Sequence, residues 1–353
     1  MSYAERAAQK LHTLRSRGAA TVLAIESSCD ETAAAVVENG RVVRANAVHT
    51  QIPLHVPYGG VVPEIASRSH TEMIGPVVDK ALSDAGLCLS DVDAVAVTNG
   101  PGLVGALLVG LSYAKGLAFA ADKPFLGVHH IASHIAANYL TYPDLTPPFV
   151  CLVASGGHSH IIRVNDYGDY TLIGRTRDDA AGEAFDKVAR ALSLPYPGGP
   201  SLEKLAATGD PTRYRFPSAF NAGDGFDFSF SGIKTAVVNL LHTSAQRGEP
   251  CDYADVAASF QRTVVQILTD KAVRAAMESG CGTLALAGGV SANTALRASL
   301  AARCEERGLR FCRPDIRYCT DNAAMVGAAA FYRLMAGHID GLSLNAVPYL
   351  PIV

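Results

Sequence analysis

Short apolar runs alternate along the chain with longer stretches of 3.6-residue periodicity, the pattern of strands interleaved with helices. Thr21–Glu26 is apolar and ends in an acidic, hydroxyl-rich loop, Ser27 to Thr32. Two further runs, Ala33–Val37 and Val42–Val48, are joined across Asn39-Gly40. Asn-Gly between such runs predicts a hairpin, because both residues tolerate positive φ. Helical periodicity covers about Glu64–Ala85, and a strand at Asp93–Val97 ends in the turn-forming cluster Thr98-Asn99-Gly100-Pro101-Gly102. A small-residue helix is predicted over Val104–Ala120, a strand at Phe125–Val128, and a helix from His129-His130 to about Leu140. Pro143, Pro147 and Pro148 then mark a boundary. The same order starts again: Phe149–Ala154, a polar loop Ser155 to Ser159, then His160–Val164 and Tyr170–Ile173 across a turn at Asp166–Asp169. Helices dominate to about Met277, interrupted by a Gly/Phe/Ser-rich stretch at Asn221–Gly232. The rest holds a strand (Thr283–Ala287), a Gly-Gly loop, a helix from about Ala292, a short strand near Phe311 and a helix from about Asp321. A strand–loop–strand–strand unit thus occurs twice, which predicts a duplicated α/β chain with two lobes around a central cleft. The expected organisation is an N-terminal extension (1–20), an N-terminal lobe (21–147), a C-terminal lobe (148–337) and a tail (338–353). The helix from about 321 is expected to return to the first lobe.

Composition narrows the class. The chain has 353 residues, 49% hydrophobic and 18% charged, which excludes a disordered protein. Gly (32) and Pro (18) without a G-X-Y period exclude collagen. A net charge of −3 excludes a generally basic nucleic-acid coat but leaves room for a local patch. Arg297, Arg303, Arg307, Arg310, Arg313 and Arg317 crowd one stretch, but Glu305, Glu306 and Asp315 interleave, so a solvated helix face and a phosphate patch fit equally. No membrane span is expected, since the longest candidate, Gly102–Ala121, is broken by Lys115 and several Gly. Met1–Ala19 is charged and lacks an apolar core, so it reads as a short helix or frayed tail rather than a signal peptide. Eight cysteines form no CxxC pair and read as reduced, which points to the cytoplasm.

Five motifs carry candidate chemistry. His130 and His134 stand at i and i+4, which puts two imidazoles on one helical face within reach of one metal ion. A locally packed histidine pair is the plainer reading, and a metal would need a third ligand from elsewhere. Ile131 occupies the position of the glutamate that an HExxH protease requires. Ser155-Gly156-Gly157-His158-Ser159, after a strand, could cradle phosphate or carboxylate oxygens on backbone N–H groups, or be an ordinary loop. Gly288-Gly289-Val290-Ser291-Ala292-Asn293 lets a base or ribose approach the backbone, or is a turn with Ser291 or Asn293 as helix cap. Asp321, by itself, reads as a helix N-cap. Asp178 to Lys187 clusters carboxylates at a helix start, where the dipole favours them; Asp186 lies too far inside for capping to explain it.

Taken in order, these motifs, with Ile25-Glu26-Ser27-Ser28-Cys29-Asp30-Glu31-Thr32, Asn99-Gly100-Pro101-Gly102, Pro197-Gly198-Gly199-Pro200 and Phe228-Ser229-Phe230-Ser231-Gly232-Ile233-Lys234-Thr235, resemble one family. It is the TsaD family of tRNA adenosine threonylcarbamoyltransferases, once called O-sialoglycoprotein endopeptidase, and the resemblance covers about residues 21–337. It implies an actin/hexokinase/Hsp70-like (ASKHA) fold. It also implies acyl transfer of the threonylcarbamoyl group from threonylcarbamoyl-adenylate to N6 of the adenosine 3′ of the anticodon, in tRNAs reading codons that begin with A. By the same resemblance His130, His134 and Asp321 hold one divalent metal, most often Fe(2+), with Zn as the alternative. Substrate contacts carry over to Val153, Ala154, Ser155, Gly156, Gly157, Asp186, Gly199 and Asn293. Glu26, Asp30 and Asp186 are the candidates for a general base. Many bacterial members have Glu and Gly between the metal histidines where this chain has Ala132 and Ser133, which removes any role for that Glu here. The implied partners are tRNA, the adenylate and, in bacteria, a TsaB-like paralogue and a TsaE-like ATPase, with no membrane. The rival readings are an ATP-dependent small-molecule kinase of the same fold, a metalloprotease, and a non-catalytic partner subunit.

Overall fold

A computed structural model describes residues 1–217 and 225–353; the 221–224 portion of the interruption read at Asn221–Gly232 lies outside the described residues. In chain order the elements are α1 (Tyr3–Arg17), β1 (Thr21–Glu26), β2 (Glu31–Glu38), β3 (Val42–Thr50), α2 (Ile52–His55), α3 (Pro63–Ala85), β4 (Ala94–Gly100), α4 (Val104–Ala120), β5 (Phe125–His129) and α5 (His130–Thr141). There follow β6 (Phe149–Ala154), β7 (Ser159–Asp166), β8 (Asp169–Arg175), α6 (Ala181–Ala191), α7 (Gly198–Ala206), α8 (Ser231–Arg247), α9 (Tyr253–Glu278), β9 (Thr283–Ala287), α10 (Thr294–Glu306), β10 (Arg310–Cys312) and α11 (Ala323–Met335).

The chain forms two compact units. The first takes in Met1–Leu145, Asp166–Asp169 and Pro314–Val353; the second takes in Thr146–Asn165 and Tyr170–Arg313. The two sheets have one topology. The first runs β3-β2-β1-β4-β5 and the second β8-β7-β6-β9-β10. In each, the leading strand pairs antiparallel with its successor (β1 with β2, β6 with β7) and parallel with a later strand (β1 with β4, β6 with β9). The sequence repeat is therefore a repeat of topology, as the actin/hexokinase/Hsp70-like class requires.

Local sequence explains the elements. At the hairpin between β2 and β3, Asn39 and Gly40 both have positive φ (52° and 66°), the demand of the turn type that suits twisted strands. β4 and β6 are buried along their whole length, which is why they read as unbroken apolar runs rather than as alternation. Leu23, Ile25, Val36, Val95, Val97, Leu111 and Phe125 form the core of the first unit. Val150, Leu152, Phe185, Phe228, Phe260, Leu284 and Leu286 anchor that of the second. Each such side chain, fully buried, stabilises the fold by roughly 1.5–3 kcal/mol. The charged N-terminus is a helix: Ser2 and Glu5 form a capping box at its start, and Gly18 ends α1 in the left-handed region.

After α11 the chain runs as a strap over the first sheet. Asp340 N–H donates to Phe125 O, and Asp340 Oδ2 accepts from Gly127 N–H. Farther on, Val347 N–H donates to Asn99 O at 2.8 Å, and Pro348 O accepts from Gly102 N–H at 3.2 Å. The His129 ring, at the end of β5, contacts Leu350 O through Nε2. All eight cysteines are free thiols. Among the described residues, no helix is long and apolar enough to cross a membrane.

Candidate metal centre and substrate loops

The strand β5 passes directly into α5, and His130 is the first residue of that helix. From His130 to Tyr139 every residue of α5 is buried, so its polar side chains need partners inside the unit. α11 packs against α5, and Asp321 stands just before it. Asn322, not Asp321, caps α11: its side chain accepts from Met325 N–H. The Asp321 carboxylate is thus not used as a cap. Its Oδ1 lies 3.2 Å from His134 Nε2 and 3.7 Å from His130 Nε2. The three ligand atoms lie within 4.8 Å of one another.

The donors fit a metal ion. On His134, which is 0% exposed, neither ring nitrogen makes a hydrogen bond of acceptable geometry, although Nε2 has the Asp321 carboxylate 3.2 Å away. A buried imidazole left so is costly unless something else takes its lone pair. His130 differs, because its Nδ1 is 3.2 Å from Ser28 Oγ and 3.3 Å from Glu26 Oε2. That leaves its Nε2 turned to Asp321. Charges around the triad also fit a cation. Burial and the neighbouring carboxylates of Asp30 and Asp321 push Glu31 up to about 10. Burial alone would lower His130, but Asp321 and Glu26 raise it to about 9. For the Glu26 carboxyl, burial acts upward, and the hydrogen bond and charge of His130 bring it below its usual range. Imidazole with carboxylate suits Fe or Zn.

The substrate candidates all lie in the second unit: Val153 to Gly157 at the end of β6, Asn293 after β9, and Asp186 and Gly199 on α6 and α7. Val153 and Ala154 end β6 in the buried sheet. Ser155 closes the following loop: its N–H donates to His158 O and its hydroxyl accepts from His158 N–H. Gly156 and Gly157 are exposed, with open space where a side chain would stand. Asp186 reaches from α6 to the start of α7, where Oδ1 accepts from the N–H groups of Gly198 (2.9 Å) and Gly199 (3.3 Å). Asn293 caps α10 through Leu296 N–H, and its amide donates to Gln261 Oε1 at 2.9 Å. Ser291, the other cap candidate, has no such role.

Of the general-base candidates, Glu26 is 0% exposed and Asp30 8%. Glu26 Oε1 accepts from Ser28 N–H at 2.6 Å, and its Oε2 accepts from the Thr98 hydroxyl at 2.7 Å. By sequence, Thr98 is only the head of a turn-forming cluster. Ser28 lay inside a quoted motif but had no role assigned. The hydroxyl-rich loop after β1 was the signal available for it.

A duplicated chain of two five-stranded α/β units, with a His/His/Asp cluster compatible with a metal ion in one and Gly-rich loops at the strand ends of the other, defines a protein of the actin/hexokinase/Hsp70-like fold. Solved structures agree on the fold. Component A of (R)-2-hydroxyglutaryl-CoA dehydratase from Acidaminococcus fermentans matches with a TM-score of 0.54 at 14% identity, over 90% of this chain and 98% of that one. HypF from T. kodakarensis matches with a TM-score of 0.58 at 16% identity, over 90% of this chain and 47% of that one. Sequence comparison goes further. The family model TsaD, described as tRNA N6-adenosine threonylcarbamoyltransferase, matches residues 42–328. A relative of that name from Clostridium perfringens (strain SM101 / Type A) is 56% identical over 329 residues, 93% of this chain and 97% of its own length. One from Clostridium botulinum (strain Kyoto / Type A2) is 54% identical over 331 residues, 94% and 97%. The chain belongs to the TsaD family of tRNA N6-adenosine threonylcarbamoyltransferases.

Proposed function

We propose that the chain transfers a threonylcarbamoyl group from threonylcarbamoyl-adenylate to N6 of the adenosine 3′ of the anticodon, in tRNAs reading codons that begin with A. The observation that carries this reading is the match to relatives of that activity along nearly the whole of both chains. The kinase and protease alternatives are not favoured: a kinase leaves the His130/His134/Asp321 triad idle, and for a protease Ile131 fills the position of the glutamate base. The work belongs to the cytoplasm, where tRNA is modified. A TsaB-like paralogue and a TsaE-like ATPase are the partners proposed, and they would supply basic surface that a chain of net charge −3 lacks.

In the reaction the adenosine amine attacks the carbamoyl carbon, the bond to the phosphate oxygen breaks, AMP leaves and the amine gives up a proton. AMP is a good leaving group, so the protein mainly positions reactants and stabilises charge. We assign the metal to His130, His134 and Asp321, with Fe(2+) ahead of Zn. When bound, it supplies Lewis-acid polarisation of a carbonyl oxygen. Ser155, Gly156 and Gly157 would hold the adenylate with their backbone N–H groups, beside Val153 and Ala154; Gly199 and Asn293 would border it. Glu26 and Asp186 already anchor backbone groups, which favours Asp30 as the base that takes the amine proton.

Mass spectrometry of nucleosides, after incubation with threonylcarbamoyl-adenylate, tRNA and the partners, tests this reading. Wild type should yield threonylcarbamoyladenosine, and His130→Ala with His134→Ala should yield none. Full transfer by the metal-free double variant would remove the metal from the mechanism. Asp30→Asn should lower kcat by 10²–10⁴-fold, the usual contribution of a general base.

A further inference from the structure

Glu26 ends β1 with its carboxylate wholly buried, and each oxygen has a defined task. Oε1 accepts from the Ser28 N–H at 2.6 Å. Oε2 accepts from the Thr98 hydroxyl at 2.7 Å and lies 3.3 Å from His130 Nδ1. The opposite nitrogen of that ring, Nε2, faces Asp321 Oδ1 at 3.7 Å. We infer that Glu26 is a positioning residue for His130: in the neutral ring that ligates a metal, its carboxylate keeps the one proton on Nδ1 and thereby leaves Nε2 as the donor toward Asp321 and His134. The inference rests on reading the triad as a metal centre. An imidazole ligates only through a nitrogen with a free lone pair, and a carboxylate on the far nitrogen fixes which one that is.

The surroundings also dictate the direction of the effect of a near-isosteric change. The Ser28 N–H is backbone and can only donate. A glutamine at position 26 must therefore turn its oxygen to Ser28, which brings its NH₂ group to Thr98 and His130. The Thr98 hydroxyl can reverse and accept. His130 Nδ1 accepts only if it has lost its proton, and the proton then belongs on Nε2, where the metal would bind. Glu26→Gln keeps volume and buried packing yet opposes ligation. Thr98→Val removes one donor to the carboxylate and leaves the Glu26–His130 contact in place.

Zn²⁺ titration of the chelator-stripped protein, in competition with a chromophoric chelator, reads this directly. Glu26→Gln should weaken Zn²⁺ binding by about 10–100-fold, with an unchanged circular-dichroism spectrum and melting curve, while Thr98→Val shifts it far less. His134→Ala is the control for the metal reading. If it binds Zn²⁺ as wild type does, the metal centre itself is wrong. If it loses affinity and Glu26→Gln does not, only the role of Glu26 falls. Should Glu26→Gln fail to fold, two-bond ¹H–¹⁵N spectra of the zinc-loaded wild type decide instead. A protonated Nδ1 on His130 supports the inference, and ligation through Nδ1 overturns it.

Discussion

Asp178 accepts hydrogen bonds from the hydroxyls of Ser229 (2.5 Å) and Ser231 (2.7 Å) and from the N–H groups of Phe230 and Ser231. It caps the start of α8 from fifty residues away instead of serving the dipole of α6, the helix that follows it in sequence. Asp179 pairs with both Lys187 and Lys234 at 2.8 and 2.9 Å. Both carboxyls sit below their usual range despite partial burial, which works against that. The motif from Asp178 to Lys187 therefore mixes fold and site, and spacing alone does not separate them. His160 shows the opposite balance: burial, with Arg175 nearby, pushes it down to about 4. The folded protein keeps this ring neutral, whereas the unfolded chain takes a proton below about pH 6.5. Its contribution is full above pH 6.5 and is lost as pH falls from there toward 4. His160→Gln should flatten the acid side of the stability–pH curve over that window, measured as urea midpoints. An unchanged acid slope would show that His160 is already charged in the folded state.

At the scale of elements, one glycine is needed for packing and another is proposed to leave room for substrate. A Cβ on Gly182, in the first turn of α6, would stand 2.7 Å from Ser155 O and 2.9 Å from Gly156 Cα. Those are backbone atoms that cannot step aside, so Gly182→Ala should destabilise the protein by about 1–3 kcal/mol. That outweighs the roughly 1 kcal/mol that alanine ordinarily adds to a helix. Gly199→Ala meets nothing within 4 Å. It should fold with a midpoint at or above that of wild type, since alanine favours a helix, but raise KM for the adenylate several-fold, since the added methyl fills space assigned to substrate. Wild-type kinetics would remove Gly199 from the donor site. The elements themselves were largely legible. Asn39-Gly40 announced its hairpin, and the buried strands β4 and β6 showed as apolar runs. The pairing of Asp186 with the start of α7 was not, because nothing local tells a helix-interior carboxylate which backbone it will reach.

Across the whole molecule, no local pattern carries the return of the chain to its first unit; the expectation that the helix from about 321 comes back rests on the family resemblance. His130 and His134 declare themselves by spacing, but Asp321 is about 190 residues on and, taken alone, resembles a cap. Resemblance supplied it, and the packing of α11 on α5 gives the physical reason. The tail beyond α11 is legible only in the structure, since its bonds to Phe125, Asn99 and Gly102 are main-chain contacts that any residue type can make, and nothing local tells the Asp340 carboxylate that it will reach Gly127 N–H. Deleting residues 338–353 should lower the melting temperature and weaken Zn²⁺ binding together, because the strap holds the ends of β4 and β5, and β5 leads directly into His130 at the start of α5. Loss of stability with full Zn²⁺ affinity would confine the tail to a structural role.

The discontinuity of the first unit also sets a clock on biosynthesis. When His134 leaves the ribosome, the carboxylate that completes its centre has not been translated. At 5–20 residues per second, roughly 10–40 s pass before Asp321 is made. During that interval the nascent chain offers two histidines and a set of carboxylates with no finished coordination sphere. On the proposed assignment of a metal to this triad, the coordination sphere is completed only after Asp321 has been made and α11 has docked on α5.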